Sequence, residues 1–65
     1  MKISIISGGF DPLHVGHVEL MNRAKSLADG LIVIINTDDF LTNKKGKIFM
    51  PFFERKIIVE NIRSV

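Results

Sequence analysis

Five consecutive aliphatic residues, Leu31 to Ile35, constrain the fold of this chain more than any other feature. The run is apolar at odd and even positions alike, which is typical of a strand covered on both faces in a parallel sheet flanked by helices. It is too short for a membrane span, which needs about 20 apolar residues. A second aliphatic cluster at positions 3–6 ends at Ser7-Gly8-Gly9, and it predicts an earlier strand that leaves the sheet through a flexible turn.

Between these two strands, residues 15–28 predict a helix. Their apolar side chains recur at helical spacing, at Leu20, Met21, Ala24, Leu27 and Ala28. Asp29-Gly30 then supplies a stop, because glycine adopts the left-handed conformation that follows many helices. Strand, helix and strand in succession form a βαβ unit. The sequence therefore predicts the α/β class, with a Rossmann-like parallel sheet flanked by helices.

The second half of the chain predicts a turn, a loop and another helix. Asn36 to Asp39 are polar turn formers, and Asn43 to Lys47 indicate an exposed basic loop. Pro51 suits the first turn of a second helix, where a missing N–H costs nothing. The apolar stripe of that helix reaches the last residue of the chain, through Ile57, Ile58, Ile62 and Val65.

Chain length limits how complete this fold is. The sequence has 65 residues, whereas domains commonly have about 100–200. A two-stranded parallel sheet also keeps unpaired edges. We therefore expect residues 1–65 to form the N-terminal half of a single domain, incomplete at this length and inactive by itself. We expect it to be stabilised within a longer protein or as a homo-oligomer.

Composition and charge disfavour several classes of protein. The net charge of +2 is too small to indicate nucleic-acid binding by bulk electrostatics. The apolar start is shorter than the core of a signal peptide, and the absence of cysteine fits a reducing compartment. We expect a cytoplasmic protein that binds neither nucleic acid nor membranes.

The segment from Gly8 to His17, between the first strand and the first helix, carries the densest set of candidate functional groups. Ligands of α/β sheets bind beyond the carboxyl ends of the strands. Glycine lets the backbone approach a phosphate closely, and a helix start adds N–H donors. His14 and His17 are three apart, so both imidazoles lie on one side of the first turn. Paired donors there can stabilise negative charge on a triphosphate attacked at its α-phosphorus.

Each part of this segment also has a structural explanation. Two glycines can form a turn, a histidine pair can cap a helix, and Asp11 can form an Asx turn before Pro12. Lysine runs are usually solvated, and helix arginines often make weak surface pairs. In combination, the flexible backbone, the paired imidazoles and their place in the topology favour a nucleotide site. A metal site made by the histidines alone is disfavoured, because no third ligand lies nearby.

The segment resembles the cytidylyltransferase-like nucleotidyltransferase superfamily, whose hallmark is His-x-Gly-His preceded by a Gly-x-Phe-Asp turn. Here these are His14-Val15-Gly16-His17 and Gly8-Gly9-Phe10-Asp11. The chain looks closest to glycerol-3-phosphate cytidylyltransferases and to the adenylyltransferase of ADP-heptose synthesis. The resemblance continues through residues 23–29, 36–38 and 54–63, and so spans essentially the whole sequence.

The resemblance implies roles for individual residues. His14 and His17 would bind the nucleotide phosphates and stabilise the transition state, and Lys44 would draw substrate and triphosphate together. A second family lysine is replaced here by Gly46, and its role falls to Lys45 or Lys47. The nucleotide-binding set is Gly8, Gly9, Phe10, Asp11, His14, Gly16 and His17. The residues implied for the substrate are Asp38, Lys44, Arg55 and Arg63.

The implied reaction is transfer of CMP or AMP from CTP or ATP to a phosphorylated polyol or sugar, with release of pyrophosphate. Mg²⁺ is implied because a triphosphate must be neutralised, and it would be bound mainly through the nucleotide. Three alternatives stay open. The acceptor can be another phosphorylated molecule, such as a heptose, nicotinate or pantetheine phosphate. The chain can be a fragment of a class I aminoacyl-tRNA synthetase, which the Gly-Phe-Asp lead disfavours. It can also be a non-catalytic nucleotide-binding or assembly module that keeps the motif.

Overall fold

The computed structural model describes residues 1–65 and has the order strand, helix, strand, helix, helix. Its elements are β1 (Ile3–Gly8), α1 (Val15–Ser26), β2 (Gly30–Ile35), α2 (Asp38–Lys45) and α3 (Phe52–Glu60). The two strands pair in parallel, with Ile3 opposite Gly30 and Gly8 opposite Ile35. Because α1 joins two parallel neighbours, the predicted βαβ unit and the α/β class are confirmed.

The hydrophobic core lies on one face of the sheet. Phe10, Met21 of α1 and Val59 of α3 are buried together there. Alternate strand residues pack against them, namely Ile6, Leu31, Val33 and Ile35. The opposite face, made by Ile3, Ile5, Ile32 and Ile34, is 45–62% exposed. The cover that the sequence predicts on both faces of Leu31 to Ile35 is therefore present on one face only.

Helix α2 corrects the prediction of a turn followed by an exposed basic loop at positions 36–47. The Thr37 hydroxyl accepts a hydrogen bond from the Phe40 N–H at 3.1 Å and caps the helix. Two aspartates in the first turn and two lysines in the last complement the helix dipole. Gly46 ends the helix in the left-handed conformation, with φ of 89°. The prediction failed because α2 buries only Leu41 and so has no apolar stripe to reveal it.

Helix α3 is shorter than the sequence predicts. It begins after Pro51, as expected, but it ends at Glu60, and Asn61 forms its C-cap. Arg63 therefore lies in the turn that follows the helix and not on the helix itself. None of the three helices is long and apolar enough to cross a bilayer.

Candidate nucleotide site

A cleft of about 470 Å³ opens beside the carboxyl ends of β1 and β2, in the position where α/β sheets bind ligands. Its volume lies within the usual range for small-molecule sites, about 300–1,000 Å³. Six residues proposed from the sequence line it: Gly9, Phe10, Asp11, His14, His17 and Lys44. Three residues that sequence reasoning did not assign to the site also line it, namely Pro12, Asn36 and Leu41. Lys45, one of the two candidates for the role lost at Gly46, lines it as well.

The two histidines are held by a reciprocal cap at the start of α1. His14 is the N-cap residue, and its Nδ1 accepts a hydrogen bond from the Gly16 N–H at 3.0 Å. The His17 Nδ1 in turn accepts the His14 N–H at 3.1 Å. The ring centroids lie 4.0 Å apart, with 32° between the planes. Both imidazoles are thus fixed by the backbone of the motif itself.

This cap determines which nitrogen of each ring carries the proton. A ring nitrogen that accepts an N–H bond must be unprotonated. The hydrogen-bond pattern therefore assigns the single ring proton of neutral His14 and of neutral His17 to Nε2. Each ring therefore keeps one N–H donor that the cap does not use. Because both residues line the cleft, the motif supplies a pair of preorganised donors to whatever binds there.

The surroundings of His17 favour its neutral form. The ring packs edge-on against Phe10, with centroids 5.1 Å apart. Burial lowers the pKa of His17 below its usual 6.5, and the neighbouring charge of His14 lowers this pKa further. At neutral pH this imidazole is therefore a hydrogen-bond donor through Nε2 and not a cation.

Gly16 makes room for the His14 ring, and its role in nucleotide binding stays a prediction. A Cβ at this position would meet His14 Cε1 at 2.8 Å and Nδ1 at 3.0 Å. The missing side chain thus makes room for the His14 ring to fold back onto the helix start. The glycine serves the cap, which in turn orients the donor.

The expected free amides at the start of α1 are largely occupied. The Gly16 N–H binds the His14 ring, and the N–H groups of His17 and Val18 donate to the His14 carbonyl at 3.0 and 3.4 Å. The partial positive charge of the helix end remains. Because these three amides already have partners, the imidazoles are the side-chain donors that the motif offers to the cleft.

Gly8 and Gly9 accommodate packing as well as the turn. A Cβ on Gly8 would lie 3.2 Å from the Phe10 ring, and one on Gly9 would lie 2.8 Å from Leu41 Cδ2. Phe10 itself has a positive φ of 52°, a conformation that is uncommon outside glycine. Of the two glycines, only Gly9 lines the cleft, and the role of either in nucleotide binding stays a prediction.

Asp11 is bound by the protein itself. Its side chain is only 1% exposed and forms an ion pair with Lys45, with Nζ 2.9 Å from Oδ2. The carboxylate also accepts the N–H groups of Phe49 and Met50, the latter at 2.6 Å. Burial alone would raise the pKa of Asp11, but these hydrogen bonds and the Lys45 charge bring it below its usual 3.8. Its carboxylate therefore organises the cleft wall, and direct contact with a nucleotide stays a prediction.

Arg55, which the resemblance implies for substrate binding, is fully buried. Its Nη1 donates to the carbonyls of Gly9 at 2.8 Å and Asn36 at 2.7 Å. Nε donates to Met50 O at 3.0 Å, and Nη2 forms an ion pair with Asp38 at 2.6 Å. The guanidinium thus joins the ends of both strands beneath the cleft. It has no exposed surface for a phosphate, so the binding role implied by the resemblance has no support in this structure.

The other residues proposed from the sequence differ in whether they line the cleft. Lys44 lines the cleft, with its ammonium 5.9 Å from the centre of the Phe40 ring. Asp38 keeps 40% of its side chain exposed while it binds Arg55. Arg63 and Lys47 are exposed and line no part of the cleft. No group of three or more His, Cys, Asp or Glu side chains is arranged to hold a metal ion.

Comparison with known proteins identifies the family. The family described as cytidylyltransferase-like matches residues 5–65, and the chain belongs to it. Over 65 residues the chain is 48% identical to glycerol-3-phosphate cytidylyltransferase of Bacillus subtilis (strain 168), covering all of this chain and 50% of that protein. The resemblance inferred from the two motifs is thereby confirmed. Membership also decides against a synthetase fragment.

Two more distant relatives carry other names. The chain is 37% identical over 67 residues to the bifunctional protein HldE of Granulibacter bethesdensis, covering 100% of the chain and 14% of that protein. It is 36% identical over 66 residues to FAD synthase of Thermococcus sibiricus, covering 98% and 45%. The chain spans about half the length of the glycerol-3-phosphate cytidylyltransferases that it matches.

Proposed function

We propose that this chain forms the triphosphate-binding half of a nucleotidyltransferase domain. The enzyme would transfer CMP, or alternatively AMP, from a nucleoside triphosphate to a phosphorylated polyol or sugar. A phosphate oxygen of the acceptor attacks the α-phosphorus, and a new P–O–P bond forms. The bond from the α-phosphorus to the bridging oxygen of the β-phosphate breaks, and its electron pair leaves with pyrophosphate.

The paired imidazoles of His14 and His17 carry this proposal. Charge builds on the oxygens around the α-phosphorus as the acceptor attacks, and donors already fixed in place stabilise that charge without reorganisation. The cap at the start of α1 provides this preorganisation, because each Nδ1 is held by a backbone N–H. Each Nε2–H is then free to donate to a phosphate oxygen.

Lys44 supplies positive charge to the same cleft. It lines the cleft and makes no ion pair with a carboxylate. An ammonium there reduces the repulsion between a triphosphate and a phosphorylated acceptor, which must approach each other for reaction. The two phosphate-bearing ligands are therefore the proposed partners of this site.

Mg²⁺ belongs to the proposal as a companion of the triphosphate. Asp11 is saturated by protein donors, and one oxygen of Asp38 is bound to Arg55. Asp11 is the only carboxylate that lines the cleft, and its oxygens are occupied, so the metal would be held mainly through the nucleotide phosphates. When bound, the ion neutralises phosphate charge.

The relatives support CTP first and ATP second. The 48%-identical relative is named a cytidylyltransferase, and this supports CMP transfer to glycerol 3-phosphate or a similar polyol phosphate. HldE and FAD synthase keep other nucleotidyl acceptors open. We also propose that residues 1–65 are the N-terminal half of one domain in a homo-oligomeric cytoplasmic enzyme.

The test is an assay of the protein at its natural full length. Each of the four nucleoside triphosphates is combined with a panel of polyol and sugar phosphates in Mg²⁺, and pyrophosphate release is followed. Release that depends on one triphosphate and one acceptor is the expected result. Calorimetric binding of a triphosphate without pyrophosphate release from any pair would instead support the non-catalytic module.

A further inference from the structure

Lys44 and Lys45 are adjacent in sequence but make different contacts. Lys45 Nζ lies 2.9 Å from Asp11 Oδ2 and 3.0 Å from the Asp11 carbonyl oxygen. Lys44 Nζ has no carboxylate partner and rests 5.9 Å from the Phe40 ring centre. One ammonium is therefore committed to the protein, while the other remains available to a ligand.

Asp11 connects three segments of the chain through its contacts. It belongs to the turn between β1 and α1, it holds Lys45 at the end of α2, and it accepts N–H groups from Phe49 and Met50. The Asp11 side chain is 1% exposed, so water cannot replace these partners unless the segments around the carboxylate move apart. A buried carboxylate requires such partners, since an unpaired charge in this position is costly.

Elsewhere, helix α2 is attached through the ion pair between Asp38, in its first turn, and Arg55, and through Leu41. Leu41 is its only buried residue, and it packs beside Gly9. The last turn carries both lysines, and the chain then reverses at Gly46. The Lys45–Asp11 pair is consequently the contact that fixes the C-terminal end of α2 against the β1–α1 turn.

We propose that Lys45 is a positioning residue that anchors α2 on Asp11 and thereby places Lys44 at the cleft. Lys45 does not take over ligand binding from the family lysine replaced by Gly46. The ligand of Lys44 is a phosphate group, of the nucleotide or of the acceptor, and this part rests on the proposed function. The anchor itself depends only on contacts within the chain.

The first experiment measures the anchor without any ligand, at the natural length of the protein. Lys45→Met keeps the aliphatic stem and removes the charge, and Lys45→Arg keeps a cation. In Lys45→Met we expect the NMR-measured pKa of Asp11 to rise. We expect the amides of Phe49 and Met50 to exchange with solvent about tenfold faster, as a loosened segment does. Lys45→Arg restores both values, while Lys44→Met and the exposed control Lys56→Met leave them unchanged.

The second experiment is a double-mutant cycle on substrate kinetics. Lys44→Met and Lys45→Met each raise the KM for the triphosphate or for the acceptor. If Lys45 acts through Lys44, the double variant is no worse than Lys44→Met within about twofold, because coupled residues are not additive. Independent binding by both lysines would multiply the two effects and would overturn the proposal.

The two experiments separate failure of the anchor from failure of the proposed function. Unchanged amide exchange and an unchanged Asp11 pKa in Lys45→Met would overturn the anchor whatever the enzyme does. If the unmodified protein binds no triphosphate or phosphorylated acceptor, the proposed function and the ligand role of Lys44 fail together. The exchange data would still decide whether Lys45 holds α2.

Discussion

The two walls of the cleft are built over very different distances along the chain. The histidine wall, made by His14, Gly16 and His17, is held by hydrogen bonds between residues two and three apart. The lysine wall, made by Lys44 and Lys45 with Asp11, is held by contacts between residues 34 to 39 apart. One wall is local and the other depends on the tertiary fold.

This difference predicts how each wall responds to mutation. In the histidine wall, cap and donor are the same side chains, so damage stays within one helical turn. In the lysine wall, the buried Asp11 carboxylate holds segments that are distant along the chain, and beneath the cleft the buried Arg55 guanidinium does the same. Substitutions of these groups should affect several segments at once, because removing one buried partner leaves several polar groups without hydrogen bonds.

The largest effect should come from Arg55→Met. Its loss leaves the Gly9, Asn36 and Met50 carbonyls without their donor. We expect the free energy of unfolding to fall by about 3 kcal/mol or more, because each buried carbonyl that loses its donor costs about 1–3 kcal/mol. Arg63→Met, on the surface, should change it by less than about 1 kcal/mol. Urea denaturation measures both. Equal losses in Arg55→Met and Arg63→Met would contradict the difference expected between a buried and a surface arginine. A raised KM for the acceptor in Arg55→Met, with an unchanged free energy of unfolding, would support Arg55 as a phosphate ligand.

Next in size should be the effect of His14→Asn on turnover. Asparagine is a good N-cap, so the helix start should survive while the Nε2 donor is lost. Loss of one such donor typically lowers kcat by about 10²–10³. His14→Ala should show the same kinetic loss and a further destabilisation of about 1 kcal/mol from the missing cap. Pre-steady-state kinetics and thermal melting separate the two. Near-normal turnover in His14→Asn would exclude the imidazole from the reaction.

A smaller effect should appear as pH dependence of stability. The folded pKa of His17 is lowered from 6.5, so below pH 6.5 the unfolded state takes up protons that the folded state resists. Above pH 6.5 His17 is neutral in both states and does not lower the free energy of unfolding. This free energy declines as the pH falls from 6.5 toward the lower pKa of His17 in the folded state. Protonation at Nδ1 would also remove the acceptor of the His14 N–H. Denaturation at a series of pH values should show that the free energy of unfolding falls with decreasing pH in the native sequence. In His17→Asn it should fall less steeply.

The smallest effect concerns the uncovered face of the sheet. In the isolated 65-residue chain, we expect the exposed isoleucines to promote self-association, since contiguous apolar patches favour it. Ile34→Thr should weaken this association and change the unfolding free energy of the dissociated chain by only about 0.5 kcal/mol, as at other surface positions. Sedimentation velocity over a range of concentrations measures the first quantity. A chain that is monomeric before substitution would contradict the expectation.

Sequence reasoning reached the elements whose signals are local or periodic. The β1, α1 and β2 elements follow from aliphatic runs and helical spacing, and the structure confirms them. The predicted left-handed stop at Gly30 is wrong, because α1 ends at Ser26 with Leu27 as its C-cap and Gly30 is the first residue of β2. Helix α2 was missed because its evidence lies in caps and charges, at Thr37, Asp38, Lys45 and Gly46, and not in an apolar stripe. These cap signals were present in the sequence and can be used in similar chains.

The site shows the same division. The histidine pair and its place beside the strand ends could be predicted, because a three-residue spacing at a helix start leaves little freedom. The burial of Arg55 and Asp11 could not, because nothing local distinguishes a buried arginine from an exposed one on a short helix. Their partners come from residues up to 46 positions away.

The sequence by itself thus determined the class of fold and the histidine donors, since both depend on patterns a few residues long. Only the tertiary structure decided that Lys45 is paired while Lys44 is not, and that Arg55 lies beneath the cleft. The physical reason is that desolvation depends on which distant segments pack together. A charged side chain is a ligand, an anchor or a solvated group according to the partners that burial leaves it.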